Sequence, residues 1–226
     1  MDNATKSPSQ IAIKKRVAEI LLEIGAVAAQ PEKPYVLTSG TYSPVYIDCR
    51  KLISFVPQRK EVIDYLATIV NRRVGETVQG IAGGETAGIP YAAFLSWKLN
   101  LPMLYVRKKP KGFGKNAQVE GEIPPNSRVI LVEDLIFDGG SKVNFIQGLR
   151  NAGYQVNHVF TVASYALVSE YEYSLGSLGV SVDWLTDWPT IVDVGQNTGC
   201  FSNETAQVIR EFLQDPHAWS QARGGK

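Results

Sequence analysis

The chain has 226 residues, of which 44% are hydrophobic and 20% are charged. This length and composition can bury a substantial core, and domains of roughly 200–250 residues are common among α/β proteins, so we expect one domain. Lysine and arginine together number 23 and aspartate and glutamate 22, and the formal net charge of +1 argues against a general nucleic-acid or membrane-surface binder.

Cysteine and histidine are scarce, which restricts metal and acid–base chemistry. Cys49 and Cys200 form neither a disulfide scaffold nor a metal-ligand spacing, and we interpret Cys49 as a small apolar filler. The histidines are His158, interpreted as structural, and His217, so a histidine-rich metal site is not expected. The apolar stretch from Ile11 is interrupted at once by basic residues, so it does not resemble the core of a signal peptide. No apolar stretch of the sequence reaches the about 18 residues that a membrane-spanning helix needs. We therefore expect a cytoplasmic protein with reduced thiols.

Helix and strand patterns alternate along the chain. Apolar residues recur with a helical period from Ile13 to near Gly25, followed by a turn-rich patch at Thr38–Pro44 and a short strand at Val45–Asp48. Further helices are predicted at Pro57–Val70, Thr86–Leu99, Lys142–Asn151, Ser169–Leu178 and Asn203–Leu213, the last with Asn203 as its N-cap, and further strands at Val78–Ala82, Pro102–Val106, Val129–Val132, Val156–Ala166 and Val180–Leu185. This order indicates βαβ units, so we expect an α/β fold with a central parallel sheet flanked by helices on both faces.

The carboxyl ends of the predicted strands mark the expected ligand site, because open parallel sheets bind ligands at that edge. Three segments directly follow predicted strands: Gly83–Gly88, Arg107–Gly121 and Glu133–Ser141. They are rich in glycine and charged residues, which a structural connection would not require. We expect these segments to carry the function.

The segment Val129–Ser141 (VILVEDLIFDGGS) has the strongest functional signal. Its four aliphatic residues predict a buried strand, and Glu133 and Asp134 would emerge at the strand's carboxyl edge. The turn Gly139–Ser141 then opens a helix, whose first amides can bind a phosphate, while ionised carboxylates accept hydrogen bonds from vicinal hydroxyls. The pattern suits a phosphorylated sugar. The alternative is an ordinary strand–turn–helix with a solvated acidic cap.

The second signal is a basic, glycine-rich loop. The cations of this loop are Arg107, Lys108, Lys109, Lys111 and Lys115. Such a loop suits a lid that closes on a polyanion, excludes water and stabilises the charge of a departing pyrophosphate. A charge run taken alone is more often a solvated surface loop. Its position between two strands of a parallel sheet favours the functional interpretation.

Four segments together resemble one family. Val129–Ser141 resembles the phosphoribosyl-pyrophosphate (PRPP) binding motif of type I phosphoribosyltransferases, and Arg107–Gly121 (RKKPKGFGKNAQVEG) resembles the catalytic loop of orotate phosphoribosyltransferases. Thr38–Arg50 (TSGTYSPVYIDCR) resembles their orotate-side segment, and Gly83–Pro90 (GGETAGIP) their loop after the first core strand. Because the order and spacing of all four agree, the resemblance is more specific than any single motif.

The resemblance implies a reaction and an architecture. The reaction joins the phosphoribosyl group of PRPP to orotate, giving orotidine 5′-monophosphate and pyrophosphate in pyrimidine biosynthesis, with Mg²⁺ accompanying PRPP. The implied fold is a type I phosphoribosyltransferase domain with a small hood at residues 1–56, a core sheet at 57–200 and a C-terminal helix and tail at 201–226. A homodimer is implied, in which the basic loop closes over the neighbouring subunit's site. No nucleic-acid or membrane partner is implied.

The resemblance also implies site residues. Catalytic roles fall on Arg107, Lys108 and Lys111, which would contact pyrophosphate. PRPP would be bound by Arg107, Lys108, Lys111, Phe113, Glu133, Asp134, Leu135, Ile136, Phe137, Asp138, Gly139, Gly140 and Ser141. Within that set, the acidic pair would hold the ribose hydroxyls and the backbone from Asp138 to Ser141 the 5′-phosphate. Orotate would meet Tyr46, Phe137 and the backbone around Ser39–Tyr46, and no protein ligand to a metal is expected.

Three positions depart from the family pattern. Phe113 stands where the loop commonly has a histidine, and Phe137 where a threonine normally contacts the substrates. The segment Ser164–Tyr171 (SYALVSEY) has no arginine for the orotate carboxylate, which leaves Arg50 and Lys51 as candidates. Loss of one transition-state donor can cost about 10²–10³ in rate.

These departures leave alternatives open. In the first alternative, the chain is a divergent but active orotate enzyme. In the second, the same scaffold has lost turnover and serves as a PRPP or nucleotide sensor, or it prefers another base. An RNA-binding regulator on the same fold is a third class, which the near-zero net charge disfavours. A sensor that only binds its ligand has little need of a cationic loop that stabilises a departing pyrophosphate. The loop at Arg107–Gly121 therefore favours the catalytic alternative.

Overall fold

Helices and strands alternate along most of the chain. The computed structural model describes residues 8–37, 39–110, 118–167, 172 and 174–226. In that part of the chain the α-helices are α1 (Gln10–Glu23), α2 (Val56–Arg73), α3 (Gly88–Leu99), α4 (Gly140–Asn151), α5 (Trp188–Asn197), α6 (Asn203–Gln214) and α7 (Pro216–Gln221). The strands are β1 (Val27–Ala29), β2 (Tyr35–Val36), β3 (Tyr42–Ser43), β4 (Val45–Ile47), β5 (Gly80–Gly84), β6 (Met103–Val106), β7 (Val119–Glu120), β8 (Arg128–Ile136), β9 (Gln155–Ser164) and β10 (Ser181–Asp187).

A six-stranded sheet forms the centre of the molecule, in the order β10-β9-β8-β5-β6-β7. The first five strands of this order are parallel, which confirms the predicted α/β fold. The edge strand β7 lies inside the predicted basic loop and pairs antiparallel with β6, Val119 opposite Val106. The sheet is therefore mostly parallel, with one antiparallel edge.

Both faces of the sheet are covered, as the continuous apolar runs predict. Ile130 and Val132 of β8 face a large cluster that includes residues of α1, α2 and α3. Val129 and Leu131 face a second cluster that includes α4. Successive strand residues point to opposite faces, so one strand feeds both cores. No helix among the described residues is long and apolar enough to cross a lipid bilayer.

The N-terminal region adds two small antiparallel pairs that were predicted only as a turn and a strand. β1 pairs with β4, and β2 forms a hairpin with β3. The strands β1, β2 and β3 have two or three residues each, which is too short a pattern to detect from sequence. The Tyr42 N–H donates to Ser220 Oγ of α7 at 2.8 Å, so the hairpin is held by the C-terminal helix.

The C-terminal region differs most from the prediction. Helices α5 and α7 were not predicted, and Ser202 rather than Asn203 caps α6, because the Ser202 side chain accepts from Thr205 N. The helix predicted at Ser169–Leu178 lies partly outside the described residues, and its end, Gly176–Leu178, is a 3-10 turn. Strand β8 runs four residues past its predicted end, through the acidic pair to Ile136.

Candidate active site

The predicted ligand segments meet at the carboxyl edge of the sheet, where β5, β6 and β8 end side by side. The Lys108 N–H, just after β6, donates to Glu85 Oε2, just after β5, at 2.8 Å. Asn144 of α4 donates through Nδ2 to the Lys108 carbonyl oxygen, also at 2.8 Å. The backbone of Lys108 therefore joins the segments that follow β5 and β6 to helix α4.

The two acidic residues of the strand–turn–helix motif diverge. Both lie within β8, where alternate side chains point to opposite faces. Glu133 turns toward α4, where its Oε2 lies 3.1 Å from Lys142 Nζ, and it is only 5% exposed. Asp134 is half-buried and lies near Arg50 of the N-terminal region. The expected pair at the strand edge is thus one buried carboxylate and one that remains accessible.

Burial shifts the pKa of both carboxyls in the same direction. It raises the pKa of Glu133, and the nearby charge of Asp134 raises it further, while Lys142 and Lys108 act in the opposite direction. Partial burial likewise raises the pKa of Asp134, opposed by Lys142 and Arg50. Desolvation penalises the charged form of a carboxyl, and neighbouring cations restore it.

The glycine-rich turn after β8 has the geometry of an anion cradle. Gly139 has φ +83°, and a Cβ there would lie 2.7 Å from Ser174 Oγ, so a glycine is required. α4 begins at Gly140, and helix geometry leaves the Gly140 and Ser141 amides without intrahelical acceptors. Asp138 Oδ1 accepts from the Gly140 N–H at 2.9 Å. An incoming phosphate would compete with this carboxylate for the amide.

Three residues of the predicted PRPP set pack, wholly or in part, against other side chains of the protein. The Ile136 side chain is fully buried in the core, and the Ile136 carbonyl accepts from Tyr165 N at 3.0 Å. Leu135 packs against the large hydrophobic cluster on the opposite face of the sheet. Phe137 is half-buried, with its ring edge-on to Tyr165 at 4.8 Å between centroids. The Ile136 side chain faces the core, so the predicted contact of this residue with PRPP falls on its backbone.

The base of the basic loop is a short ribbon. The Arg107 N–H donates to the Gln118 carbonyl, and Gln118 Nε2 donates to the Arg107 carbonyl at 2.9 Å. The Arg107 guanidinium lies 4.0 Å from Glu120, and its buried Nε has no acceptor among the described residues. Lys108 is exposed. Lys111 and Phe113, the other predicted PRPP residues of this loop, lie outside the described residues.

The base-side segment, residues 39–50, forms the opposite wall. Tyr46 is 37% exposed, and its hydroxyl accepts from Arg50 at 3.2 Å. Arg50 also contacts Asp48 at 2.6 Å. Lys51 instead donates to the Gly25 carbonyl at 2.7 Å, so its ammonium group binds the turn that follows α1. Of the two candidates for the orotate carboxylate, the structure places only Arg50 beside Tyr46.

Comparison with known proteins identifies the family. Residues 54–178 match the phosphoribosyl transferase domain family. An orotate phosphoribosyltransferase of Ruegeria sp. is 46% identical over 216 residues, covering 95% of this chain and 96% of that protein. The enzyme of the same name from Rhizobium rhizogenes is 45% identical, covering 92% and 90%. This chain belongs to the orotate phosphoribosyltransferase family.

Solved structures agree with that family membership. An orotate phosphoribosyltransferase from Aeropyrum pernix superposes with a TM-score of 0.70 at 31% identity, over 82% of this chain and 99% of that one. The UMP synthase of Leishmania donovani gives a TM-score of 0.77 at 25% identity. This chain covers 89% of its own length in that match and spans 42% of the UMP synthase chain.

The sequence did not single out several residues of this candidate site. Glu85 and Asn144 anchor the basic loop through the backbone of Lys108, which no side-chain motif reveals. Lys142 was assigned only to the start of a helix, although it lies beside Glu133. Its place immediately after the Gly-Gly-Ser turn was the one available signal.

Proposed function

We propose that the cleft between the base-side segment and the carboxyl edge of β5, β6 and β8 is the active site for phosphoribosyl transfer from PRPP to orotate. The products are orotidine 5′-monophosphate and pyrophosphate, in pyrimidine biosynthesis. The observation that carries the proposal is the convergence of Asp134, the glycine-rich start of α4 and the base of the cationic loop at one sheet edge.

The ribose 5-phosphate part of PRPP would lie along the end of β8 and the start of α4. Asp134 would accept hydrogen bonds from the ribose hydroxyls, because its carboxylate remains accessible. The backbone from Asp138 to Ser141 would bind the 5′-phosphate, with Asp138 releasing the Gly140 amide as the phosphate enters. Glu133 lies too deep to share the ribose contact in the described geometry.

Pyrophosphate would leave toward the basic loop. The reaction passes through a ribosyl cation and a departing polyanion, so catalysis depends on positioning and charge stabilisation. Arg107, Lys108 and Lys111 would supply the compensating charge. The anchoring of Lys108 by Glu85 and Asn144 supports this assignment, since it fixes the base of the loop against the predicted phosphate site.

Orotate would bind against the base-side segment. Tyr46 offers an exposed aromatic face, and Phe137 directly follows the end of β8. Arg50 would bind the orotate carboxylate in place of the missing arginine of Ser164–Tyr171. Its contact with the Tyr46 hydroxyl supports that role, because it places a guanidinium at the edge of the aromatic ring.

Magnesium would enter as part of the PRPP complex. Among the described residues, no group of three or more histidine, cysteine, aspartate or glutamate side chains is placed to hold a metal ion. The oxygens of PRPP itself suit Mg²⁺, which usually keeps substrate phosphates and waters as ligands.

We also propose that the chain is one domain, with the hood at residues 1–56, the core at 57–200 and the tail at 201–226. We propose further that it forms a homodimer in the cytoplasm. In this dimer the basic loop would act on the neighbouring subunit's site. One core cluster contains Val45 of the hood, Ile130 of the sheet and Phe212 of the tail, which supports one domain.

Trp97 is 90% exposed on α3 and, with Leu101, borders an apolar groove, which supports a dimer interface on this face. If the loop acts across subunits, mixing the weakened Lys111→Ala and Asp134→Asn proteins raises activity above that of either variant alone.

Orotate consumption followed by absorbance, with PRPP and Mg²⁺, tests the proposed function. We expect turnover that requires PRPP and that falls in Lys111→Ala, while Lys115→Ala on the same loop serves as the matched control. Uracil, adenine and hypoxanthine in place of orotate test base preference. A PRPP-dependent rise in melting temperature without turnover of any base would favour the sensor.

A further inference from the structure

A buried ion pair lies beneath the proposed PRPP site. Lys142 Nζ and Glu133 Oε2 are 3.1 Å apart, and the two side chains are 9% and 7% exposed. Other ion pairs of the described residues have at least one more exposed partner, such as Arg73–Asp183 with side chains 55% and 11% exposed. The pair joins β8 to the first turn of α4, across the glycine-rich turn.

Lys142 also contacts the phosphate cradle. Its Nζ donates to Ser141 Oγ at 3.2 Å, so one ammonium group binds both the motif's carboxylate and the hydroxyl of the turn. The backbone of Lys142 belongs to the same turn, because its N–H donates to the Gly139 carbonyl at 2.9 Å. Movement of Lys142 would therefore move the residues that we assign to the 5′-phosphate.

Glu133 reaches a third segment. Its Oε1 is buried without a hydrogen-bond partner among the described residues. A Cβ at Gly84 would lie 2.2 Å from this oxygen, and a Cβ at Gly88 would lie 2.3 Å from it. The carboxylate therefore fills the space between the end of β5 and the start of α3, and this space exists because both positions are glycine.

A buried pair of this kind gives little net stability, yet losing one partner leaves an uncompensated charge in a desolvated position. The groups that face Glu133 are Lys142 of α4, Asp134 of β8 and Lys108 after β6. Lys142 is the one cation among them that is itself buried against Glu133. Without it, the carboxyl would take up a proton or draw water into the sheet edge.

We propose that Lys142 is a positioning residue for PRPP: through Glu133 and Ser141 it fixes the phosphate cradle relative to the end of β5 and the start of α3. This inference rests on the proposed function. It assigns Glu133 to the support of the site and leaves Asp134 as the carboxylate that meets the ribose hydroxyls. Small misplacements of substrate-binding groups are costly in rate and affinity, so the effect falls on PRPP rather than on orotate.

The test measures PRPP affinity by calorimetry and KM by orotate consumption for the Glu133→Gln/Lys142→Met double variant, in which both charges are removed. We expect the Kd and KM for PRPP to rise between about tenfold and a hundredfold, with the orotate KM unchanged. Arg73→Met, at an ion pair on another part of the sheet, is the control and should leave both constants at the wild-type level. Unchanged PRPP constants in the double variant would overturn the inference.

The single variant Lys142→Met supplies a second readout. Its PRPP KM should be smallest at acidic pH, where Glu133 is protonated, and should rise with pH as that buried carboxyl ionises; the double variant should lack this rise. A pH profile of Lys142→Met identical to that of the double variant would contradict the proposed link to Glu133. Calorimetric PRPP binding separates the two proposals, because absent turnover in the wild type would contradict the function while the PRPP affinities still test Lys142.

Discussion

The Tyr91 hydroxyl donates a 2.6 Å hydrogen bond to the Cys49 carbonyl oxygen, and both residues are buried. Tyr91 lies on α3, which follows the central strand β5, and Cys49 begins the 3-10 turn after the base-side strand β4. This contact therefore fixes the wall that we assign to orotate against the sheet that carries the PRPP site.

Replacing Tyr91 with phenylalanine should weaken the fold. The Tyr91→Phe change leaves the buried Cys49 carbonyl without its donor, so we expect a loss of about 1–3 kcal/mol in the free energy of unfolding, measured by urea denaturation. Tyr65→Phe is the matched control, because the one hydrogen-bond partner of the Tyr65 hydroxyl among the described residues is the part-exposed Glu61. Equal losses in the two variants would show that the Cys49 contact has no special weight.

The two thiols should differ sharply in reactivity. Burial raises the pKa of Cys49 well above its usual value, and the charges of Asp134 and Asp48 raise it further, whereas Cys200 is exposed. Thiolate is the reactive form, so a disulfide reagent should label one thiol in the native protein and two after unfolding in guanidinium. Cys200→Ser should show no native labelling. Rapid native labelling of that variant would mean that Cys49 is accessible.

Asp187 should make stability depend on pH in the acid range. Burial alone would raise the pKa of Asp187, but hydrogen bonds from Lys14, Thr190 and Trp184 outweigh it and hold the pKa below 3.8. A depressed carboxyl pKa stabilises the folded state above the unfolded pKa, and this stability is lost as pH falls through the folded pKa.

Asp187→Asn measures that contribution. At neutral pH we expect the variant to lose about 1–3 kcal/mol of unfolding free energy, and the difference from wild type should shrink as pH falls below 3.8. Asp193→Asn, at an exposed pair with Arg210, should cost less than about 0.5 kcal/mol at either pH. A difference that stays constant with pH would exclude the ionised Asp187 as its source.

Local pattern was enough to predict the central sheet, because its five parallel strands are short, mainly apolar segments that alternate with helical patterns. It did not predict α5, which begins with Trp188 directly at the end of β10. No turn signal separates that helix from the strand. β7 was missed because its two residues pair with β6 only in three dimensions.

The candidate site was predictable in location but not in detail. Parallel topology places Glu133, Asp138 and Lys108 at one edge, and this follows from strand order. The burial of Glu133 depends on where β8 ends. β8 continues to pair with β9 at Leu135 and Ile136, so the acidic residues lie inside the sheet and not beyond its edge. Lys142 becomes a partner of Glu133 only once the turn brings α4 back against β8.

The central claim is that Asp134 binds PRPP at the carboxyl edge of β8. Its most direct test is steady-state kinetics of Asp134→Asn, with orotate followed by absorbance and PRPP varied, beside the surface variant Asp193→Asn. We predict that kcat/KM for PRPP falls about a hundredfold in Asp134→Asn while the melting temperature stays near that of wild type, and that Asp193→Asn keeps full activity. A folded Asp134→Asn protein with wild-type kcat/KM for PRPP would contradict the claim.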